Sequence, residues 1–568
     1  MSKTGIDLFL DLLSDHGVKY IFGNPGSTEL PLNDALTRDS RLKYILGLQE
    51  VPVMAMADGY SMASGSLGVV NLHVCPGLGN AMGMLYNAFR EGTPLLVTAG
   101  QQDRRLYFDE PILGGEMVEV TRPWTKWSVE VSRVEDLPAA VRRAAQIALT
   151  PPTGPVFLSL PVDVQMEPVE ELELDMSPIR VPDTRVRPPI RAIERAVQLL
   201  TTARNPAILA GSRVTERGAN QALVELAEAV GAPVFTESGT THGRLPFPSN
   251  HPLYGQGLPP WAPEIHKRLK EFDVLFVTGM DLFRLYIYYT PNQAIPRHCK
   301  VIHLDENPAE IGKNFPVEVG LIGDTREGLT GITNSLKNHM SLEQQRVTED
   351  RSIDWQTRHD EARASLRTQI DSERTVAPLT PLCFMEAIGR VLPENVAVIE
   401  EAVTTTNTTL ERLGYLKDPE GYFGHRGWGL GWGLGVTIGA QLAWPNKHVV
   451  GILGEGAIMY GIQGLWTAVK YQIPATIVVA NNAQYNILKI CAQGMNLPGA
   501  MQGDYEGMDL VGPEYDLVAI ANSMGMRATR VNTADELSDA VQESLAISEP
   551  MLIDTPITRE TGKKLNYG

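Results

Sequence analysis

The feature that most constrains the fold is a recurring unit: a short apolar run that ends on glycine or a polar residue and leads into a helical stretch. Its clearest copy is "VVGILGEGAIMYGIQGLWTAVKYQIPATIVVANNAQYNI", Val449 to Ile487. Two apolar strands flank the helix-like "IQGLWTAVKYQ", so the span reads as one strand–helix–strand unit. A right-handed crossover puts the carboxyl ends of both strands on one edge of a parallel sheet. Ligands of open α/β sheets bind at that edge. Glu455, set between Gly454 and Gly456, and the pair Asn481-Asn482 are therefore placed to touch one ligand.

The same unit recurs in three successive runs. "YIFGNPG", "YILGLQE", "GVVNLHV" and "PLLVTAG" come first, and a Pro-rich acidic connector closes that segment near residue 190. "PAILAGS", "APVFTES", "VLFVTGM" and "KVIHLDEN" follow, ending near residue 324. A polar stretch from Ser341 to Thr375 reads as an exposed helical linker. "VAVIEE", "HVVGILGEG", "ATIVVANN" and "PMLIDTP" make the last run. At 568 residues the chain is too long for one ordinary core. The pattern predicts three consecutive doubly wound parallel-sheet α/β domains, over residues 1–185, 190–340 and 376–568.

A formal charge of −18 disfavours nucleic acid and anionic membrane as general partners. No stretch approaches the length of a transmembrane helix, and Asp7 and Asp11 interrupt the N-terminal apolar pattern, which reads as an amphipathic helix rather than a signal. Cys75, Cys299, Cys383 and Cys491 are far apart and show no metal or disulfide spacing. A reducing, cytoplasmic setting is the expectation.

Gly-Glu-Gly by itself is the signature of a turn; the correctly spaced asparagines turn it into a candidate cation site. Glu455 and Asn482 offer hard oxygens to magnesium, with diphosphate oxygens completing the shell, and the flanking glycines let backbone approach phosphate closely. "GHRGWGLGWGLGVTIGAQLA", Gly424 to Ala443, is dense in glycine ahead of what reads as an amphipathic helix. It suits either tight helix packing or a flat ligand against backbone. In "FGNPGSTELP" Ser27 sits near a helix N-cap, a place that needs no function. Glu50 opens the apolar "VPVMAMADGY", where the helix dipole favours a carboxylate, yet a buried acid also calls for a partner or a job. His73, in "NLHVCPGLGN", shares that edge with Ser27 and Glu50; alone it would read as structural.

Together these residues resemble the thiamine diphosphate-dependent 2-oxo acid decarboxylase and carboligase family. "GNPGS", Glu50 and the Gly-Glu-Gly…Asn-Asn unit carry the resemblance. "FGNPGSTELP", "YILGLQE", "NLH", "GNAMG", "PLLVTAGQQ" and "LWTA" bring it nearest to the benzoylformate decarboxylase pattern. The resemblance covers nearly the whole chain. It implies pyrimidine-binding, central and diphosphate-binding domains, with thiamine diphosphate and Mg2+ or Ca2+ as cofactors. Glu455, Asn482 and the backbone oxygen of Gln484 would hold the cation, and Thr404, Gly454, Gly456, Ala457 and Tyr485 would line the cofactor. Leu430 would bend the cofactor while the carbonyl of Trp428 accepts from its amino group. Glu50 would bond its pyrimidine nitrogen, Ser27 the substrate carboxylate, and His73 would relay a proton. The substrate would be a small 2-oxo acid or aldehyde. The family implies a homodimer at minimum, with each site shared between chains, and a homotetramer of two such dimers.

Several positions depart from the family pattern. Glu455 stands where Asp is usual, one methylene longer against a cation that tolerates little slack. Tyr286 takes the place of a second pocket histidine. Gly424, Ile487 and Cys491 stand where Phe, Ala and Phe are expected, and His425 and Arg426 add polarity. A carboligase or 2-hydroxyacyl lyase of the acetolactate synthase-like group, a flavin-containing synthase and a catalytically silent relative are the alternatives.

Overall fold

Every apolar run of the three series becomes a strand with one or both faces covered. The computed structural model describes residues 2–237, 243–286, 288–290 and 292–559. The first sheet comprises β1 (Tyr20–Gly23), β2 (Lys43–Leu46), β3 (Gly68–Leu72), β4 (Leu95–Gln101), β5 (Ser128–Glu130) and β6 (Val156–Pro161), in the order β2-β1-β3-β4-β6-β5. The second comprises β7 (Pro206–Ala210), β8 (Val234–Thr236), β9 (Tyr254–Gly257), β10 (Val274–Thr278), β11 (Lys300–Asp305) and β12 (Val319–Ile322), ordered β12-β11-β10-β7-β8-β9. The third comprises β13 (Val396–Glu401), β14 (Tyr422–Phe423), β15 (His448–Gly454), β16 (Thr476–Asn481), β17 (Arg527–Arg530) and β18 (Met551–Pro556), ordered β14-β13-β15-β16-β18-β17. The strand pairings within these sheets are parallel. Parallel strands need crossovers, and these put helices on both faces. Three α/β sheets are what the alternation predicted.

Six helices frame the sites and the joints between sheets: α1 (Gly5–Asp15), α2 (Glu50–Ser64), α3 (Val74–Glu91), α4 (Leu342–Glu373), α5 (Trp432–Ala443) and α6 (Asn486–Gly494). The polar linker is α4, which is mostly exposed and buries Thr348, His359, Leu366 and Ile370. Among the described residues no helix is long and apolar enough to cross a membrane.

The expectation of an amphipathic helix over the Gly-rich segment is corrected. Residues Trp432 to Gln441 of α5 are all buried. The cause is position: α5 lies between its own sheet and α2, so no face is left for water. A Cβ on Gly435 would come within 2.5 Å of Ala55 Cβ, and one on Gly439 would overlap the Met56 carbonyl. Glycine at these two positions is what permits the close approach. Through this contact the first and third sheets share one apolar core, with Phe22, Val53 and Val70 from one and Ile399, Trp432 and Leu453 from the other.

Candidate active site

Most residues singled out by sequence fall into two groups, one at the carboxyl edge of the first sheet and one at that of the third, while Tyr286 follows β10 of the second sheet. On the first, Glu50 is the opening residue of α2 and is buried. Its two oxygens accept from Asn24 Nδ2 at 3.4 Å and Asn80 Nδ2 at 2.9 Å. His73 is the N-cap of α3, and its Nδ1 lies 2.8 Å from Glu29 Oε2. A Cβ on Gly26 would overlap the imidazole ring, so the ring packs directly against the "NPGS" turn. Val74, the next residue, has φ 26°, a value that β-branched residues rarely adopt. Strain of this kind clusters at functional sites.

Ser27 does not cap a helix. It is exposed and opens a three-residue 3-10 turn, Ser27–Glu29, whose N-cap is Gly26.

Glu29 lies inside the "FGNPGSTELP" motif, yet sequence reasoning does not single it out. The carboxylate is buried and holds the edge together. Besides His73 it accepts from Thr28 Oγ1 at 2.8 Å, Gly100 N at 2.8 Å and Val74 N at 3.3 Å. The signal available in the sequence was an acid inside the turn that opposes a strand-end histidine.

On the third edge, Gly454 ends β15, and Glu455, Gly456 and Ala457 form the short helix Glu455–Ile458. Asn482 follows β16. Glu455 Oε1 and Asn482 Oδ1 both accept from the backbone N–H of Gln484, at 3.0 and 3.1 Å. Tyr515 donates to the Glu455 carbonyl at 3.0 Å. All three candidate ligands are buried. Burial pushes the Glu455 carboxyl up to about 7, against the lowering effect of the Gln484 N–H. Tyr485 caps α6 and would touch a Cβ on Gly456 at 2.8 Å. Thr404 lies in the short helix Val403–Thr406 after β13.

These residues fit the cation that the resemblance implies. Among the described residues no lysine or arginine is bonded to Glu455, so the chain itself does not neutralise this buried carboxylate. An amide oxygen shares its hydrogen-bond donor. A hard divalent ion takes such a donor set. Among the described residues no group of three or more His, Cys, Asp or Glu competes as a metal site.

The loop Gly424–Gly431 leads into α5 and meets the C-terminal end of α3, where Gly429 bonds Asn87. Trp428 has φ 60° and its ring lies 5.1 Å from that of Tyr286, which packs in turn on Trp261 at 6.1 Å. Leu430 is half-buried just ahead of α5, whose N-cap is Gly431. Cys491 and Ile487 sit on α6, Cys491 buried and close enough to Tyr286 for a side-chain hydrogen bond. Burial raises the Tyr286 hydroxyl pKa. A cavity of about 290 Å3 opens beside Tyr286 and Trp428, lined also by Arg90, Arg284 and Arg426. His425 is buried and stacked on Trp432 at 5.3 Å, and burial lowers its pKa to about 4. It stays neutral at physiological pH.

The carboxyl edge of the second sheet is occupied by the chain's own charges. Arg213 bonds Asp305 at 2.8 Å and Asp281 at 2.9 Å, and Arg426 lies 3.4 Å from Asp281.

Models of thiamine pyrophosphate enzymes match the chain in three places. They are the N-terminal TPP binding domain over residues 3–112, the central domain over 193–332 and the C-terminal TPP binding domain over 402–555. Benzoylformate decarboxylase of Pseudomonas aeruginosa is 33% identical over 555 residues, spanning 98% of this chain and 99% of that protein. A probable acetolactate synthase large subunit of Methanocaldococcus jannaschii is 30% identical, over 97% of this chain and 92% of the relative. Among solved structures, benzoylformate decarboxylase of Polynucleobacter necessarius superposes with a TM-score of 0.86 at 31% identity, over 99% of this chain and 100% of that one. The thiamine diphosphate-dependent 4-hydroxybenzoylformate decarboxylase of Rhodococcus jostii RHA1 gives 0.85 at 29% identity, over 98% and 100%. The sheets, their two ligand edges and these likenesses agree: the chain belongs to the thiamine pyrophosphate enzyme family.

Proposed function

We propose that the protein is a lyase that, with thiamine diphosphate and a divalent cation, removes carbon dioxide from a 2-oxo acid and releases an aldehyde. The observation that carries this reading is the first sheet edge. There a buried Glu50 held by two amides shares a turn with an imidazole fixed by Glu29. Bound thiamine diphosphate supplies the electron sink that the loss of carbon dioxide requires.

The chain's own residues do the rest. Glu455, Asn482 and the Gln484 carbonyl would hold the cation, while Thr404, Gly454, Gly456, Ala457 and Tyr485 would line the diphosphate. Leu430 and the Trp428 carbonyl would fix the cofactor's shape, and Glu50 would meet its pyrimidine nitrogen. The Ser27 hydroxyl donates to the substrate carboxylate. Because Glu29 takes the Nδ1 proton of His73, Nε2 is the atom that faces substrate and carries or receives a proton. Trp428, Tyr286, Ile487 and Cys491 line the substrate pocket with His425 behind them, and exclusion of water there favours a charge-neutralising decarboxylation.

We assign residues 1–185, 190–340 and 376–568 to the pyrimidine-binding, central and diphosphate-binding domains. The two edges belong to different centres: each is completed by the other edge of a second chain, in a dimer that pairs into a tetramer. A cytoplasmic location and Mg2+ as the resident ion complete the proposal.

The test is a panel of 2-oxo acids with added thiamine diphosphate and Mg2+, headed by aryl members in line with the named relatives. Both carbon dioxide and the organic product are read. Release of aldehyde is expected, and absence of carbon dioxide from every member would sink the reading. The likeness to an acetolactate synthase subunit favours carboligation as a second activity, read as a coupled product when an acceptor aldehyde is added.

A further inference from the structure

Gly429 lies between Trp428 and Leu430, and one side chain from the first domain grips both of its backbone groups. Asn87 Oδ1 accepts the Gly429 N–H at 3.0 Å, and Asn87 Nδ2 donates to the Gly429 carbonyl at 2.7 Å. Asn87 is wholly buried. A Cβ on Gly427 would overlap its Oδ1, and one on Gly429 would lie 2.8 Å from the same atom. The loop can meet the carboxamide this closely only as glycine. A second grip lies downstream, where Glu401, at the end of β13, accepts from Trp432 N at 3.0 Å and Gly433 N at 2.9 Å. Trp428 itself holds a left-handed φ of 60°. A non-glycine residue persists there only when its surroundings over-determine it.

We propose that Asn87 is a positioning residue that holds the Trp428 carbonyl and the Leu430 side chain in register for the cofactor, with Glu401 fixing the far end of the same segment. The proposal rests on the functional reading that Trp428 and Leu430 face thiamine diphosphate. Its physical basis is the cost of misplacement. Losing a buried, two-point grip leaves the Gly429 groups unpaired and lets the loop relax from its strained turn. The helix involved is α3, which carries His73 at its N-cap and Asn87 near its other end. One rigid element thus serves a proton-handling residue at one edge and the cofactor loop at the other.

The experiment compares the parent with Asn87→Ala, both as full-length protein. Cofactor affinity is measured by calorimetry with thiamine diphosphate and Mg2+, exchange of the 427–433 amides by mass spectrometry, and turnover and KM on whichever 2-oxo acid the panel identifies. In the folded variant, turnover is expected to fall about 10²-fold, as for an ångström-scale misplacement. KM should stay within a few-fold, cofactor affinity should weaken about tenfold, and amide exchange across the loop should accelerate. A merely structural staple would lower the melting temperature and leave turnover and cofactor affinity near the parent's, and that result overturns the proposal. Should Asn87→Ala not fold, the parent decides: slow exchange at Gly429 supports the grip and loop-like exchange overturns it. A parent that binds no thiamine diphosphate instead overturns the functional reading, and with it the purpose of the grip, while exchange at Gly429 still reports whether the grip exists.

Discussion

Glu29 Oε2 sits 2.8 Å from His73 Nδ1, and the other oxygen of the same carboxylate is bonded to Thr28, Gly100 and Val74. The acid is therefore fixed before the imidazole docks on it, and the imidazole has one available tautomer. Glu29→Gln would keep its oxygen for the three donors on one side and turn an NH2 toward His73 Nδ1. The neutral ring then has to carry its proton on Nε2 instead.

Two variants test this geometry. His73→Phe removes the proton-handling group but keeps a ring of similar bulk, and Glu29→Gln keeps the group in the wrong tautomer. Positioned acid–base groups contribute about 10²–10⁴-fold, so both variants should lose turnover in that range. Cofactor affinity should stay near the parent's, because neither residue touches the diphosphate edge. Nitrogen-15 spectra of the imidazole would read the tautomer change directly. If His73→Phe turns over within a few-fold of the parent, another proton donor serves the site.

At the third sheet edge the decisive group is Glu455. Burial holds its carboxyl up to about 7, and a cation binds only the ionised form. Affinity for Mg2+ with thiamine diphosphate should therefore fall as the pH drops below about 7, with protons released on binding. Calorimetry at several pH values in buffers of different ionisation enthalpy would measure both. Glu455→Asp should preserve or improve binding and Glu455→Ala should largely abolish it. Undiminished cofactor affinity in the presence of chelator would rule out a shared cation.

Much of this was legible in the sequence, for a physical reason. Central strands of a parallel sheet are buried on both faces, so "VVGIL" and "TIVVA" read as unbroken apolar runs. The edge strand β17, "RATR", lies half in water and carries no such signal. The two strand-end clusters of polar residues were legible because such residues interrupt apolar runs there. Glu29 and Asn87 were not. Each meets partners far along the chain, His73, Val74 and Gly100 for the first and Gly429 for the second, and a single sequence does not encode which distant residue a buried polar group will meet. The misread of α5 has a similar cause: the face turned away from its own sheet is covered by α2, nearly four hundred residues earlier.

Complementation between chains tests the split site. Glu50 and Glu455 stand on different sheets, and in the proposed dimer each centre takes one from each chain. Mixing inactive Glu50→Gln and Glu455→Ala proteins should restore part of the activity, since some hybrid centres then hold both intact residues. Verified exchange of subunits with no recovery would place both residues of a centre on one chain.

The last prediction concerns the α2–α5 contact that joins the first and third sheets. Asp58, on α2, is buried and accepts from Trp432 Nε1 at 2.8 Å. Burial raises its carboxyl from the ordinary 3.8 to about 6. Because the folded pKa lies above the unfolded one, this group favours the folded state fully below about pH 4. That contribution is lost as the pH rises toward 6 and is constant beyond. Asp58→Asn keeps an acceptor for the indole and cannot ionise. The stability of the parent relative to the variant should therefore fall by up to about 3 kcal/mol between pH 4 and pH 7, each pH unit between the two pKa values costing about 1.4 kcal/mol. Urea titrations across that range would measure the difference. Parallel pH curves for the two proteins would mean that water or a second donor already solvates the Asp58 carboxylate in the folded state.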